Sequence, residues 1–134
     1  MIKDLILLGS TGSIGTSTLN VIRKNKANFK IKLLTTNKNV NKILSQAIEF
    51  NVKKVVVFDK NKFERFKNKF KKKRIKVFFT VNEALKNSRR KKAFFTISAI
   101  SGIEGLEPTL EVIKFTKNLG IANKESIICG WKLL

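Results

Sequence analysis

The sequence predicts an α/β fold, with a mainly parallel sheet covered by helices on both faces. Three observations carry this. Strand-like and helix-like segments alternate along the whole chain, in the order βαβαβαβαβαβα. The strand-like segments are apolar runs rather than alternating ones, as expected of strands buried on both sides. A glycine-rich turn, Gly9-Ser10-Thr11-Gly12-Ser13-Ile14-Gly15, joins the first strand to the first helix.

Each element has its own signal. Leu5 to Leu8 is a short apolar run. Ile14, Thr18, Val21 and Ile22 then share one helical face. Phe29 to Thr35 reads as a strand. Val40, Ile43, Leu44, Ala47 and Ile48 form a helical stripe, with Asn39 or Asn41 suited to cap it. Val55-Val56-Val57-Phe58 is an apolar, largely β-branched strand. A basic helix follows, with Phe63, Phe66 and Phe70 at i, i+3 and i+7, and then a strand from Ile75 to Phe79. Val81 to Leu85 suggests a short helix and Ala93 to Ala99 a strand. Pro108 suits the first turn of the next helix, where an N–H is not needed. Leu119 to Ala122 is a short strand. From Ser126 a last stripe places Ile127, Ile128, Trp131 and Leu134 together, with Trp131 expected in the core.

The 134 residues fit one domain, 1–134, with no long linker, low-complexity tract or internal repeat. No apolar run reaches the ~18 residues a membrane span needs. The first residues lack the features of a signal peptide, and the chain is expected to be cytoplasmic. One cysteine, Cys129, excludes an intrachain disulfide. The absence of histidine excludes a Ser-His-Asp triad, a Cys-His pair and any His-ligated metal within the chain.

The formal charge of +20 invites a nucleic-acid reading. The densest run is Lys60 to Lys76. Its phenylalanines fall at helix spacing, so they read as a buried stripe and the lysines as its solvated face. Abundant Lys, Asn, Ile and Phe fit compositional drift in an A+T-rich genome. No helix-turn-helix, RRM or zinc pattern supports a nucleic-acid module.

The glycine turn points to a Rossmann-like, doubly wound fold. Its spacing is G-x-x-G-x-x-G, and it lies in the strand–turn–helix context that makes such a motif informative. Small residues let the backbone approach a pyrophosphate, which the helix N-terminus then receives with free N–H groups. Thr11 and Ser13 add hydroxyls. After the second strand, Thr36-Asn37-Lys38-Asn39 carries no carboxylate to hold ribose hydroxyls. Lys38 suits a 2′-phosphate, with Asn37 and Asn39 beside it, so the site reads as NADP-type. At the end of the last strand stand Asn123-Lys124-Glu125. Spacing alone leaves two readings open: a ligand-binding corner on the same rim, or a helix start capped by Asn123.

Together these motifs resemble the 1-deoxy-D-xylulose-5-phosphate reductoisomerase family. LGSTGSIGTSTL is similar to its NADPH turn, TTNKNV to its second-strand loop, AISGIEGLEPTLEVI to a later strand–helix unit, and IANKESIICG to its Ala-Asn-Lys-Glu-Ser signature. The resemblance covers essentially the whole chain. It implies NADPH as cofactor, with Thr11, Gly12, Ser13 and Ile14 at the pyrophosphate. Asn37, Lys38 and Asn39 would lie at the 2′-phosphate end, Asn123 and Glu125 on NADPH, and Lys124 on a sugar-phosphate substrate. Asn37 stands where many members have glycine. The implied reaction rearranges 1-deoxy-D-xylulose 5-phosphate and reduces it to 2-C-methyl-D-erythritol 4-phosphate, in non-mevalonate isoprenoid biosynthesis. It uses Mg²⁺ or Mn²⁺ in a homodimer. The family's metal-binding carboxylates and clamping loop lie beyond the Ala-Asn-Lys-Glu-Ser signature and are not among these residues. The chain is therefore expected to be the NADPH-binding portion, inactive by itself. The competing readings are another NADP-dependent Rossmann oxidoreductase, an NADP sensor, or a basic nucleic-acid-binding domain. A Tyr-x-x-x-Lys pair would favour a short-chain reductase, but the chain has no tyrosine.

Overall fold

The computed structural model describes residues 1–88 and 90–134. Six strands are described: β1 Lys3–Leu8, β2 Phe29–Thr36, β3 Lys54–Val57, β4 Lys76–Phe78, β5 Ala93–Ser98 and β6 Thr116–Ile121. They form one all-parallel sheet in the order β4-β3-β2-β1-β5-β6. The chain winds outward from β1 in one direction, then crosses to its other side with β5. This reversal creates a topological switch point between β1 and β5, where a crevice opens beyond the carboxyl ends of the strands. The expected doubly wound, Rossmann-like class is the fold observed.

Among the described residues five helices connect the strands, α1 Ser13–Arg23, α2 Val40–Glu49, α3 Lys60–Lys72, α4 Val81–Leu85 and α5 Leu106–Val112, and a sixth, α6 Lys124–Gly130, follows β6. Alternate residues of the central strands serve two cores. On one face Leu5, Leu7, Ile31, Val55 and Val57 pack with Leu19 and Ile22 of α1, the stripe of α2 and Phe70 of α3. On the other, Ile6, Leu8, Leu33 and Val56 pack with α4, Val112 and Phe115. The register of β1 against β2 slips by one residue at Lys32, a bulge that turns Lys32 toward Asp4.

Three expected stripes differ in detail. In α1 the buried residues are Gly15, Leu19 and Ile22, whereas Ile14 and Val21 are exposed. Gly15 lies against the turn itself, so the face that meets the sheet starts from a residue with no side chain. In α2 the stripe is buried except for Ile48, which faces solvent. In α6 the buried residues are Ser126 and Gly130, and a Cβ on Gly130 would collide with Leu106. Because α6 packs through small residues, Ile127, Ile128, Trp131 and Leu134 turn outward. Trp131 is 74% exposed and is not a core residue. In α3 Phe70 is buried, and Phe63 and Phe66 are half-buried against the same core.

No described helix is long and apolar enough to cross a membrane.

Candidate functional site: a glycine turn at the sheet switch point

The turn after β1 is held from three sides. Gly9 N–H donates to Thr35 Oγ1 at 2.8 Å and Ser10 N–H to the Thr35 carbonyl at 2.9 Å. The Ser10 hydroxyl donates to Gln46 Oε1 at 2.8 Å, and Gln46 Nε2 donates back to the Ser10 carbonyl at 3.0 Å. The Thr11 and Thr36 hydroxyls bond to each other at 2.7 Å. Lys42 of α2 donates through Nζ to the Thr11 carbonyl at 3.0 Å.

Two glycines of the motif are required by this geometry. Gly9 has φ +80°, and a Cβ there would lie 2.9 Å from the Ala99 backbone. A Cβ on Gly15 would strike Gly9 O and come within 2.7 Å of Ser10 Cα. Neither obstacle is a flexible side chain.

Gly12 is the N-cap of α1 and supplies no capping side chain. Most of the other helices are capped by a side chain. Asn39, Asp59, Thr80 and Asn123 each accept a hydrogen bond from the residue three positions on, at the starts of α2, α3, α4 and α6. The α5 helix also starts at a glycine, but it continues from a 3₁₀ turn that already takes the Leu106 N–H. At α1 the first-turn N–H groups and the positive end of the helix dipole face outward, ready for an anion.

A cleft of about 630 Å³ lies in front of this turn. Gly9, Thr11 and Gly12 form its floor, and Thr36 and Asn37 a wall. Phe58 and Phe79 supply apolar surface, while Glu104, Glu107 and Glu111 line the α5 side. Burial raises the Glu111 carboxyl above its ordinary range, opposed by hydrogen bonds from the Asn82 and Val81 N–H groups. A smaller cavity of about 260 Å³ lies across the 99–101 loop and is lined by Ile14, Gly102, Asn123, Lys124 and Glu125. Both cavities share Ala99, Ile100 and Ser101 as a common partition.

The sequence-selected residues thus fall into three groups. Thr11, Gly12 and Asn37 line the larger cleft, and Ile14, Asn123, Lys124 and Glu125 the smaller one. Ser13 is exposed at the first position of α1. Lys38 and Asn39 lie beside these cavities and line neither. The Lys38 ammonium is 4.0 Å from Asp59, and the Asn39 side chain caps α2. Asn123 is 4% exposed. Its oxygen caps α6 through Ser126 N–H at 3.2 Å, and its amide nitrogen donates to the carbonyls of Ile100 and Gly102. A Cβ on Gly105 would meet that nitrogen at 2.5 Å, so Gly105 makes room for it. The capping reading of Asn123 is the geometry present, on the same rim as the turn. Sequence reasoning missed Lys42 and Gln46, which come to the turn from α2. The only signal for them was their place on a helix that follows β2.

Residues 5–130 match the family model described as 1-deoxy-D-xylulose 5-phosphate reductoisomerase. The chain belongs to this family. A reductoisomerase of that name from Pelagibacter ubique is 48% identical over 133 residues, covering 98% of this chain and 34% of that protein. One from Thermodesulfovibrio yellowstonii is 41% identical with the same coverage. Among solved structures, the reductoisomerase from Zymomonas mobilis in complex with NADPH superposes with a TM-score of 0.84 at 31% identity. That match covers 99% of this chain and 35% of the other. A reductoisomerase in complex with NADPH, fosmidomycin and magnesium superposes at 0.83 and 29% identity, covering 95% and 31%. The chain spans about a third of the length of the reductoisomerases it matches.

Proposed function

We propose that this chain is the NADPH-binding portion of a 1-deoxy-D-xylulose-5-phosphate reductoisomerase. The observation that carries the reading is the uncapped start of α1, behind a turn whose glycines keep its backbone open, facing a cleft at the switch point. NADPH fits this chain's residues. The pyrophosphate has N–H donors at Ser13 and Ile14 and a hydroxyl at Thr11, with Gly12 between them leaving the backbone open. The adenosine end lies toward Asn37, Lys38 and Asn39. The Glu104, Glu107 and Glu111 side repels phosphate, which biases the anionic part of the cofactor toward the turn.

The smaller cavity serves the other end. Glu125 and the Asn123 backbone face the cofactor there, and the Asn123 side chain fixes the 100–102 loop against α6. Lys124 supplies an ammonium for a sugar phosphate. NADPH, when bound, supplies the hydride that reduces the rearranged substrate. The chain's residues bind and orient it. Among the described residues no group of three or more His, Cys, Asp or Glu could hold a metal ion, so no residue here is assigned to a divalent ion. The purified 134-residue chain is expected to bind cofactor without converting 1-deoxy-D-xylulose 5-phosphate.

The test is a titration with NADPH and NADH at moderate and high salt. Saturable binding that prefers NADPH and persists in salt supports the reading. Binding that is indifferent to cofactor and collapses with salt would instead indicate a polyelectrolyte surface.

A further inference from the structure

We propose that Lys42 reads the 2′-phosphate of NADPH together with Lys38, and so sets the cleft's preference for NADPH over NADH. This deepens the cofactor reading above and rests on it. In a doubly wound sheet the adenosine ribose lies between the glycine turn and the end of the second strand. Here that place is bounded by Thr11 on one side and Thr36 to Asn39 on the other. The two sides are already joined. Thr36 Oγ1 bonds to the Thr11 hydroxyl at 2.7 Å and accepts from Asn39 N–H at 3.3 Å. Lys42 spans the same gap from the first turn of α2, with Nζ 3.0 Å from the Thr11 carbonyl.

Charge separates the two lysines. Lys38 has a carboxylate 4.0 Å away, on Asp59, whose other oxygen caps α3. Lys42 forms no ion pair among the described residues, and its recorded partner is a neutral carbonyl. An ammonium carries three donors, so Lys42 keeps its bond to Thr11 and still has two for a ligand. A phosphate monoester carries about −1.5 to −2 charges at neutral pH, which one lysine shared with Asp59 does not balance. Lys42 supplies the remainder from an exposed position, with its stem anchored on α2.

NADPH and NADH are titrated, at one ionic strength, against the wild-type chain and its Lys42→Gln, Lys42→Arg and Lys71→Gln variants. Lys71→Gln removes the same charge from the C-terminal turn of α3. Lys42→Gln is expected to weaken NADPH about tenfold and NADH less than about twofold, as for loss of one charge-assisted phosphate contact. Lys42→Arg restores NADPH binding, and Lys71→Gln leaves both cofactors unchanged. In ³¹P spectra of the bound cofactor, the 2′-phosphate titrates below its free range in the wild type and moves back toward it in Lys42→Gln, because a nearby cation favours the dianion. Wild-type affinity in Lys42→Gln, or an equal loss for both cofactors, overturns the proposal. The second result would make Lys42 a brace for the turn. A wild-type chain that does not bind NADPH overturns the cofactor reading itself, and this inference with it.

Discussion

Two helix starts face each other across the 99–102 loop, and they are built in opposite ways. At α6 Asn123 closes the helix on itself and ties it to the loop with both donors of its amide. At α1 Gly12 offers no side chain to close the helix start. A glycine cap gives up only a few tenths of a kcal/mol relative to a capping side chain, and α1 forgoes that much. The same backbone groups hold shape in one place and remain free for a ligand in the other. The uncapped start is affordable because the turn is held from behind, through Thr35 and Gln46, rather than by its own helix.

Gly15 is the position where a substitution is expected to do the most damage. Gly15→Ala drives a Cβ into the backbone of Gly9 and Ser10. It is expected to cost about 3 kcal/mol in a urea melt, at the upper end for overpacking, and to abolish NADPH binding. Asn123→Ala is next. It removes the α6 cap and leaves the Ile100 and Gly102 carbonyls without their donor, for about 2–3 kcal/mol. Asn123→Ser should recover about 1 kcal/mol of that by restoring the cap alone. If the two variants melt alike, the cap contributes nothing and the contrast with α1 is wrong.

Gly12→Asp makes α1 resemble α6. The position has φ −80° and ψ −177°, and a Cβ there meets only Gly9 O, at 3.8 Å. The variant should be more stable by a few tenths to about 1 kcal/mol while NADPH binding weakens at least about tenfold. Unchanged affinity would show that the phosphate does not use this helix start.

The smallest effect concerns α4, which is served twice, by its own Thr80 and by Glu111 of α5. Burial raises the Glu111 pKa in the folded state, so the folded chain holds that proton more tightly than the unfolded chain does. Stability from this group is therefore full below the ordinary carboxylate range and falls as pH rises through the raised folded value. Glu111→Gln keeps an acceptor for Asn82 N–H. Its melting temperature should match the wild type in acid and exceed it slightly at neutral pH.

The sheet was legible in the sequence because its strands are buried on both faces and show as apolar runs, Val55 to Val57 most plainly. The turn was legible because only glycine satisfies Gly9 and Gly15. Helix faces were less so. A hydrophobic count passes over Gly15, Ser126 and Gly130, yet Gly15 is buried in α1 beside Leu19 and Ile22, and α6 buries Ser126 and Gly130. It selects Val21 and Trp131, which face solvent. Lys42 was hidden for another reason. Its partner lies 31 positions away in sequence, and the contact exists only once β1, β2 and α2 have assembled. The role of Asn123 was half visible, since spacing shows a cap but not the two carbonyls of a loop from another strand.

The reciprocal pair of Ser10 and Gln46 has a consequence for protein engineering. Each side chain answers a polar group of the other residue in a buried place, so neither can change alone without costing its partner a hydrogen bond. The glycine turn and α2 are therefore one structural unit. A graft of residues 9–15 onto another parallel sheet would carry the motif but lose its support, unless the segment containing Gln46 went with it.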